Sequence, residues 1–365
     1  MRLQQLLGID LPIIQAPMAG VQGSALAVAV SNADGLGSLP CAMLTPDALS
    51  KELATLQSQT TRPYNVNFFC HTPPTPDPEL EAAWHAALAP YFNEFGIDVN
   101  AIPSGPGRLP FSADMAELLA TFKPPVVSFH FGLPSADLMA RVKSWGAKVL
   151  SSATTVDEAR WLEAHGADAV IAQGLEAGGH RGMFLTDDVH TQVGTFALLP
   201  QIVQAVKVPV IAAGGIADAT GVAAAMALGA AGVQVGTAYL TCPEATTSAL
   251  HRAALQSEQA HVTALTNVFT GRPARGIVNR IMQELGPICP AAPAFPLATA
   301  AITALRAKAE SQGCTDFTPP VGRAEHQRLP EPASGRVDPQ SGTQAGTVAV
   351  SQGATQGARP MPTSS

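Results

Sequence analysis

The sequence predicts a closed (β/α)8 TIM barrel, and three observations carry that expectation. Short apolar runs recur eight times along the chain, helical patterns lie between them, and glycine signals follow the last two runs. Continuous apolar runs indicate strands covered on both faces. Their alternation with helices indicates parallel pairing. Eight such units match a closed barrel better than a doubly wound open sheet, which rarely repeats the unit so often.

In chain order the runs are "PIIQAP" from Pro12, "GLGSLP" from Gly35, "YNVNFF" from Tyr64, "VVSFHF" from Val126, "KVLSSA" from Lys148, "DAVIAQ" from Asp168, "PVIAAG" from Pro209 and "GVQVGT" from Gly232. Stretches such as "SALAVAVSNA", "TVDEARWLEAHG" and "ADATGVAAAMALGA" read as the helices between them. The uncharged stretch from Gly221 to Leu240 has the length of a membrane span. Its Ala/Gly content and its change of pattern midway indicate instead a buried helix followed by a buried strand.

Two segments break the rhythm. Residues 71–124 separate the third and fourth runs, with helical patterns at Glu79–Phe95 and Ser112–Phe122. An insert after a barrel strand lies on the catalytic face, so it reads either as a lid or as helices padding the side of the barrel. From Thr318 to Ser365 no aromatic residue occurs, and Pro, Gly, Ser, Thr and Gln dominate. Such a composition cannot bury enough surface to offset its ordering entropy, so a disordered tail is expected. The domain plan is thus a barrel over 1–317, including the 71–124 insert and a helical segment at 270–312, with an atypical tail at 318–365.

Apolar residues make up 46% of the 365 residues and charged residues 13%, a balance that fits a well-buried α/β protein. A net charge of -7 argues against a nucleic-acid surface. The five cysteines are odd in number and form no C-x-x-C pair, which speaks against a disulfide framework or a zinc site and suits a reducing cytoplasm. The N-terminus carries no signal-peptide pattern, because Asp10 and Pro12 interrupt its apolar run. No metal site, nucleic acid or membrane is expected.

In a barrel, functional groups gather at the C-terminal ends of the strands. Gly214 and Gly215 follow the seventh run, and Gly236 and Thr237 follow the eighth. Glycine lets a dianion approach the main chain, and these two loops are where such barrels usually bind phosphate. Neither G-x-G-x-x-G nor a P-loop pattern occurs in the required strand–turn–helix context, leaving a mononucleotide cofactor or a sugar phosphate. The sixth run leads into "AQGLEAGGHRG", where four glycines, a histidine and an arginine share eleven residues. Gln173 offers a donor and an acceptor there, and Gly178 and Gly179 allow a flat ring or phosphate to lie on the backbone.

The motifs "PIIQAPMAG", "VSFHFG", "GADAVIAQGLEAGGHRG", "PVIAAGGIAD" and "GVQVGTAYL", in this order, resemble the nitronate monooxygenases, or 2-nitropropane dioxygenase-like proteins, of the class with the HFG element. The resemblance runs from about Leu11 to about Gln312. It implies an FMN-dependent barrel that oxidises alkyl nitronates with O2. It further implies propionate 3-nitronate as substrate, an oxoacid with nitrite and nitrate as products, and a detoxifying role. Electron transfer from the nitronate would precede the entry of oxygen. FMN contacts are implied at Asn67, Gln173, Gly178, Gly215, Gln234, Val235, Gly236 and Thr237, with Met18 near the flavin. The family's catalytic histidine matches His130.

His130 ends the fourth run, so its imidazole is expected at the barrel mouth. There it would exchange a proton near neutrality or, as imidazolium, hold the anionic nitronate. His180 is expected in a supporting role. Arg181 is read as pairing with solvent or a carboxylate, and Arg272 or Arg275 as candidates to attract a substrate carboxylate. After "CTDF" the chain departs from the family, which usually continues with a Ser-Gly-Gln or Ala-Gly-Gln element and a closing helix. The abrupt change resembles a shifted reading frame, with a flavin pocket open on one side as its consequence. The alternatives are an FMN-dependent NAD(P)H reductase of enoyl-ACP or quinone type, or a non-catalytic FMN- or phosphate-binding barrel. A monomer or homodimer is expected.

Overall fold

The computed structural model describes residues 2–102 and 108–318. The expected tail beyond Thr318, with its reading-frame question, lies outside the described residues.

Eight parallel strands form the barrel: β1 (Ile13–Gln15), β2 (Gly37–Pro40), β3 (Tyr64–Phe69), β4 (Val126–His130), β5 (Lys148–Ala153), β6 (Ala169–Gln173), β8 (Val210–Ala213) and β9 (Gly232–Val235). Each overlaps one of the eight apolar runs. The two-residue strand β7 (Gly179–His180) stands outside the barrel. The sheet order is β1-β9-β8-β6-β5-β4-β3-β2, and a parallel bridge between Ile14 and Leu36 brings its first and last strands together.

Helices start where short polar side chains cap them. Thr45, Ser112, Thr155 and Asp218 each accept from a main-chain amide three residues on. Asp77 accepts from the amides of Glu79 and Leu80, with Pro78 at the first helical position. The stretch that mimics a membrane span divides into a helix, Ala219–Ala227, and strand β9. No helix among the described residues is long and apolar enough to cross a membrane.

Inside the barrel, Ile14, Leu36, Val126, Leu150, Ile171 and Ile211 pack on the N-terminal helix Leu3–Leu7. A polar layer lies above them. Asn65 Nδ2 donates to Ser38 Oγ at 3.0 Å and Ser128 Oγ at 2.9 Å, and Asn67 Nδ2 reaches the same Ser128 hydroxyl at 2.9 Å. These bonds satisfy both amide donors, while Asn65 Oδ1 is buried without a partner among the described residues.

The 71–124 insert divides in two. Helix Ala113–Phe122 packs among the outer barrel helices, with Leu119 and Ala116 in the barrel's hydrophobic shell. Helix Pro78–Phe95 joins a different body. Its Trp84, Leu88, Phe92 and Phe95 pack with Ile281, Ile302, Leu305 and Phe317 from the C-terminal segment. That segment also contains strands β10 (Thr263–Thr266) and β11 (Ala274–Ile277), which pair antiparallel, and β11 pairs in turn with β7. The sequence reading anticipates helix in 270–312 but not this small sheet.

Candidate active site

Strand register places the predicted loops side by side. Gln173 pairs with Ala213, Ala213 with Gln234, and Gln15 with Val235. The chain after β1, β6, β8 and β9 therefore emerges on one sector of the barrel mouth, as functional loops of this fold do.

Gly214 has φ of 118° and Gly215 of 70°, both in the region that favours glycine. A Cβ on Gly214 would stand 2.8 Å from Thr195 Oγ1 and 3.0 Å from the amide nitrogen of Ala177. Among the described residues, the amides of Gly178, Gly215, Gly236 and Thr237 donate to no protein acceptor. Thr237 also opens a short 3-10 helix, Thr237–Thr241. Side-chain-free main chain with unpaired amides fits a phosphate dianion. Met18 is held beside this sector by a relay: its amide donates to Gln22 Oε1 at 3.1 Å, Gln22 accepts from Gln15 Nε2 at 2.7 Å, and Gln15 Oε1 accepts from Ser38 at 2.8 Å. Met18 Sδ lies 3.8 Å from the Cβ position of Gly236. Gln15 lies within "PIIQAPMAG" but carries no assigned role there, and Gln22 lies outside every motif.

The "GGHRG" segment lies across the mouth and is tied from both sides. Arg275 on β11 is opposite Gly179, and Ala274 is opposite His180. From below, Gln173 Nε2 donates to the carbonyl of His180 at 2.9 Å, and its Oε1 accepts from the Gly182 amide at 2.7 Å. Both ends of the Gln173 amide thus hold main chain.

Arg181 departs from the sequence expectation. It is fully buried and meets neither solvent nor a carboxylate. Its guanidinium donates to the carbonyls of Gly174 at 2.6 Å and Gln173 at 2.7 Å and to Gln192 Oε1 at 2.9 Å. Burial, with Arg275 nearby, holds it down at about 10. Arg275 is likewise committed to the protein: Nε donates to the carbonyl of Leu175 at 2.7 Å and Nη1 to Thr263 Oγ1 at 2.9 Å. Both arginines brace the loop after β6.

His130 and His180 meet at the mouth, but they are placed differently. His130 Nε2 faces the carbonyl of His180 at 3.2 Å, and Nδ1 faces Ser152 Oγ at 3.1 Å. A carbonyl only accepts, so Nε2 carries the proton and Nδ1 accepts from Ser152. Burial pushes His130 down to about 4, opposed in part by its bond to His180 and aided by Arg272 and Arg181. Burial thus favours the neutral imidazole over the imidazolium form. A Cβ on Gly182 would stand 2.9 Å from His130 Cε1, so the GGHRG segment covers this ring closely. His180 is also driven well below its usual range by burial, then by Arg108, His130 and Arg272. Its Nε2 meets Thr270 Oγ1 at 2.9 Å, and its Nδ1 has no partner among the described residues.

Three phenylalanines wall this region. Phe131, Phe295 and Phe69 lie with ring centroids 6.0, 5.4 and 6.3 Å from the His180 ring. Phe131 has φ of 69°, unusual for a bulky residue and a strain of the kind found at functional sites. Its ring lies under the guanidinium of Arg272, 4.1 Å from the centroid.

Comparisons with known proteins bear on the family of this barrel. The family model described as nitronate monooxygenase matches residues 1–334. A nitronate monooxygenase of Paraburkholderia phytofirmans is 46% identical over 321 residues, covering 85% of this chain and 86% of that protein. One from Pseudomonas aeruginosa is 44% identical over 327 residues, covering 87% and 91%. Among solved structures, nitroalkane oxidase from Streptomyces ansochromogenes superposes with a TM-score of 0.81 at 40% identity, covering 90% of this chain and 92% of that one. FabK from Thermotoga maritima does so with a TM-score of 0.59 at 31% identity, covering 77% and 76%. A barrel mouth that fits phosphate beside uncharged histidines, and these similarities over most of the chain, have one common reading: the chain belongs to the nitronate monooxygenase family of oxidoreductases, which implies a flavin cofactor and the oxidation of nitronates.

Proposed function

We propose that the protein binds FMN and oxidises propionate 3-nitronate with O2, yielding an oxoacid with nitrite and nitrate and so removing a toxic nitronate. The observation that carries this reading is the pairing of unpartnered amides at Gly215, Gly236 and Thr237 with the open Nδ1 of His180 across the same mouth. The amides would hold the FMN phosphate, and Gly214 lets this turn pack against Thr195 and the Ala177 amide. Asn67, Gln173, Gly178, Gly179, Gln234, Val235 and Met18 line or support the cofactor's path. Bound FMN supplies the electron acceptor that no side chain offers.

The protein's own groups set the substrate in place. His180, uncharged at neutral pH, presents Nδ1 as a hydrogen-bond partner for the nitronate group or as a base toward a neutral nitroalkane. A nitronate has already lost its α-proton, so the base is needed only for the nitroalkane. His130, first expected as the catalytic residue itself, acts in this proposal through the carbonyl of His180 and keeps that segment in position. Phe131 and Phe295 exclude water from the reacting face. The part of the insert nearest the mouth serves as a wall, and its helix Pro78–Phe95 anchors that wall.

The test begins with the visible spectrum of the purified protein and the mass of the flavin released on denaturation. Oxygen uptake with propionate 3-nitronate then reads the activity. A yellow protein that consumes oxygen with the nitronate supports the proposal. Anaerobic bleaching by NADH but not by nitronate would favour the reductase instead, and a yellow protein inert to both would favour a non-catalytic binder.

A further inference from the structure

We propose that Arg108 and Arg272 form an anion seat at the mouth, which grips a carboxylate at the end of the substrate remote from its nitronate carbon. The inference rests on the nitronate reading above and adds the residues that choose among nitronates.

Neither arginine makes an ion pair among the described residues. Both are largely shielded from water. Arg108 Nε and Nη1 and Arg272 Nε are buried donors without a hydrogen-bond partner. Of the described contacts, Arg272 keeps one strong bond, from Nη2 to the carbonyl of Met183. The two guanidiniums flank one aromatic cluster: Arg272 stacks 4.1 Å from the Phe131 centroid, Arg108 lies 5.8 Å from that of Phe295, and the two rings are 5.4 Å apart. Both arginines also act electrostatically on His180 and His71, which places their charge beside the proposed reacting end.

A buried cation without a counter-ion is costly, and a second one beside it more so. Among the described residues no carboxylate forms an ion pair with either; Asp187 and Glu158 act on Arg272 only from farther away. Glu158, which lies within electrostatic reach of Arg272, has its oxygens committed to Thr154 and to the amides of Phe184 and Leu185. Stacking on aromatic rings stabilises a guanidinium but leaves its N–H edge without acceptors. Because guanidinium matches carboxylate geometry, the missing partner is a carboxylate brought by the ligand. His130 and His180 are poor counterparts for it, since burial favours their neutral forms. The seat thus selects dianionic nitronates, with one charge at each end, over simple alkyl nitronates.

The experiment compares kcat/KM for propionate 3-nitronate with that for 1-propyl nitronate, which has no carboxylate, in wild type, Arg108→Met and Arg272→Met. Loss of a charge-assisted contact predicts that the ratio of the two values falls roughly 10- to 100-fold, mainly through KM for the carboxylate substrate. Lysine at either position should restore part of the ratio. A purely structural role would lower both substrates together and leave the ratio within about threefold of wild type, which overturns the proposal. As a second measurement, independent of turnover and of variant folding, succinate should raise the melting temperature of the wild-type holoprotein more than butyrate does at equal ionic strength. Equal effects of the two would also overturn it. A wild type that oxidises neither nitronate would instead sink the functional reading, while the succinate measurement still reports on the seat.

Discussion

His130 donates through Nε2 to the main-chain oxygen of His180, so one imidazole holds the peptide that carries the other. The two rings therefore have separable duties. His180→Asn should lower turnover of a neutral nitroalkane by roughly 100-fold or more, the usual worth of a positioned base. The loss with a preformed nitronate should be smaller. His130→Asn should also damage turnover, by loosening the His180 segment, while leaving the flavin spectrum nearly intact. Steady-state rates on both substrate forms decide the matter. Unchanged rates in His180→Asn would remove that residue from the reaction.

Stability should fall on acidification in a defined window. His130 is pushed down to about 4 by burial, against about 6.5 in an unfolded chain. Between those values the unfolded state binds a proton that the native state refuses, so native stability declines as pH drops from about 6.5 toward 4. Above that window this group contributes no pH dependence. The shift corresponds to roughly 3 kcal/mol at most. His71, also pushed down to about 4, and His180 act in the same direction. Urea midpoints measured from pH 7 to pH 4.5 read the slope, which His130→Asn should flatten.

The phosphate cradle depends on bare main chain. Gly214→Ala places a methyl group 2.8 Å from Thr195 Oγ1 on a backbone with φ of 118°. Both the contact and the conformation oppose it. The variant should bind FMN at least about 10-fold more weakly, for a strain of order 1–3 kcal/mol. Fluorescence titration of the apoprotein with FMN measures this directly.

Arg181 should prove structural. Arg181→Met leaves two carbonyls and Gln192 without their buried donor. Each unsatisfied group costs about 1–3 kcal/mol, so several kcal/mol of stability should be lost. A melting temperature close to that of wild type would contradict this account.

The body formed by the insert helix and the C-terminal segment closes on Phe317, which is fully buried against Tyr91 and Phe95 at ring distances of 5.3 and 5.4 Å. Phe317→Ala should cost about 3–5 kcal/mol. Because this body supplies Phe295 and braces the mouth, nitronate turnover should decline in the same variant at temperatures where it remains folded.

The barrel was legible because its signals are local. Each strand is a short apolar run, several helices begin at a capping side chain such as Thr45 or Asp218, and two glycines of positive φ, Gly214 and Gly215, follow the strand Val210–Ala213. Such features depend on a few consecutive residues. The site was legible only in outline. Gly214, Gly215, Gly236 and His130 stood at readable strand ends, but what each faces depends on segments far away in sequence. Arg181 looked like a loop cation, but its guanidinium is buried on the carbonyls of Gln173 and Gly174 and on Gln192, while its amide is tied to Pro273 beside β11. Arg108 follows a proline- and glycine-rich stretch that announces no chemistry, yet the fold sets it against Phe295, nearly two hundred residues on. Sequence by itself determined the periodicity, the caps and the bare turns, since these are properties of the local chain. Tertiary structure alone decided which buried charges find partners, since burial and electrostatic pairing are properties of everything packed around a group.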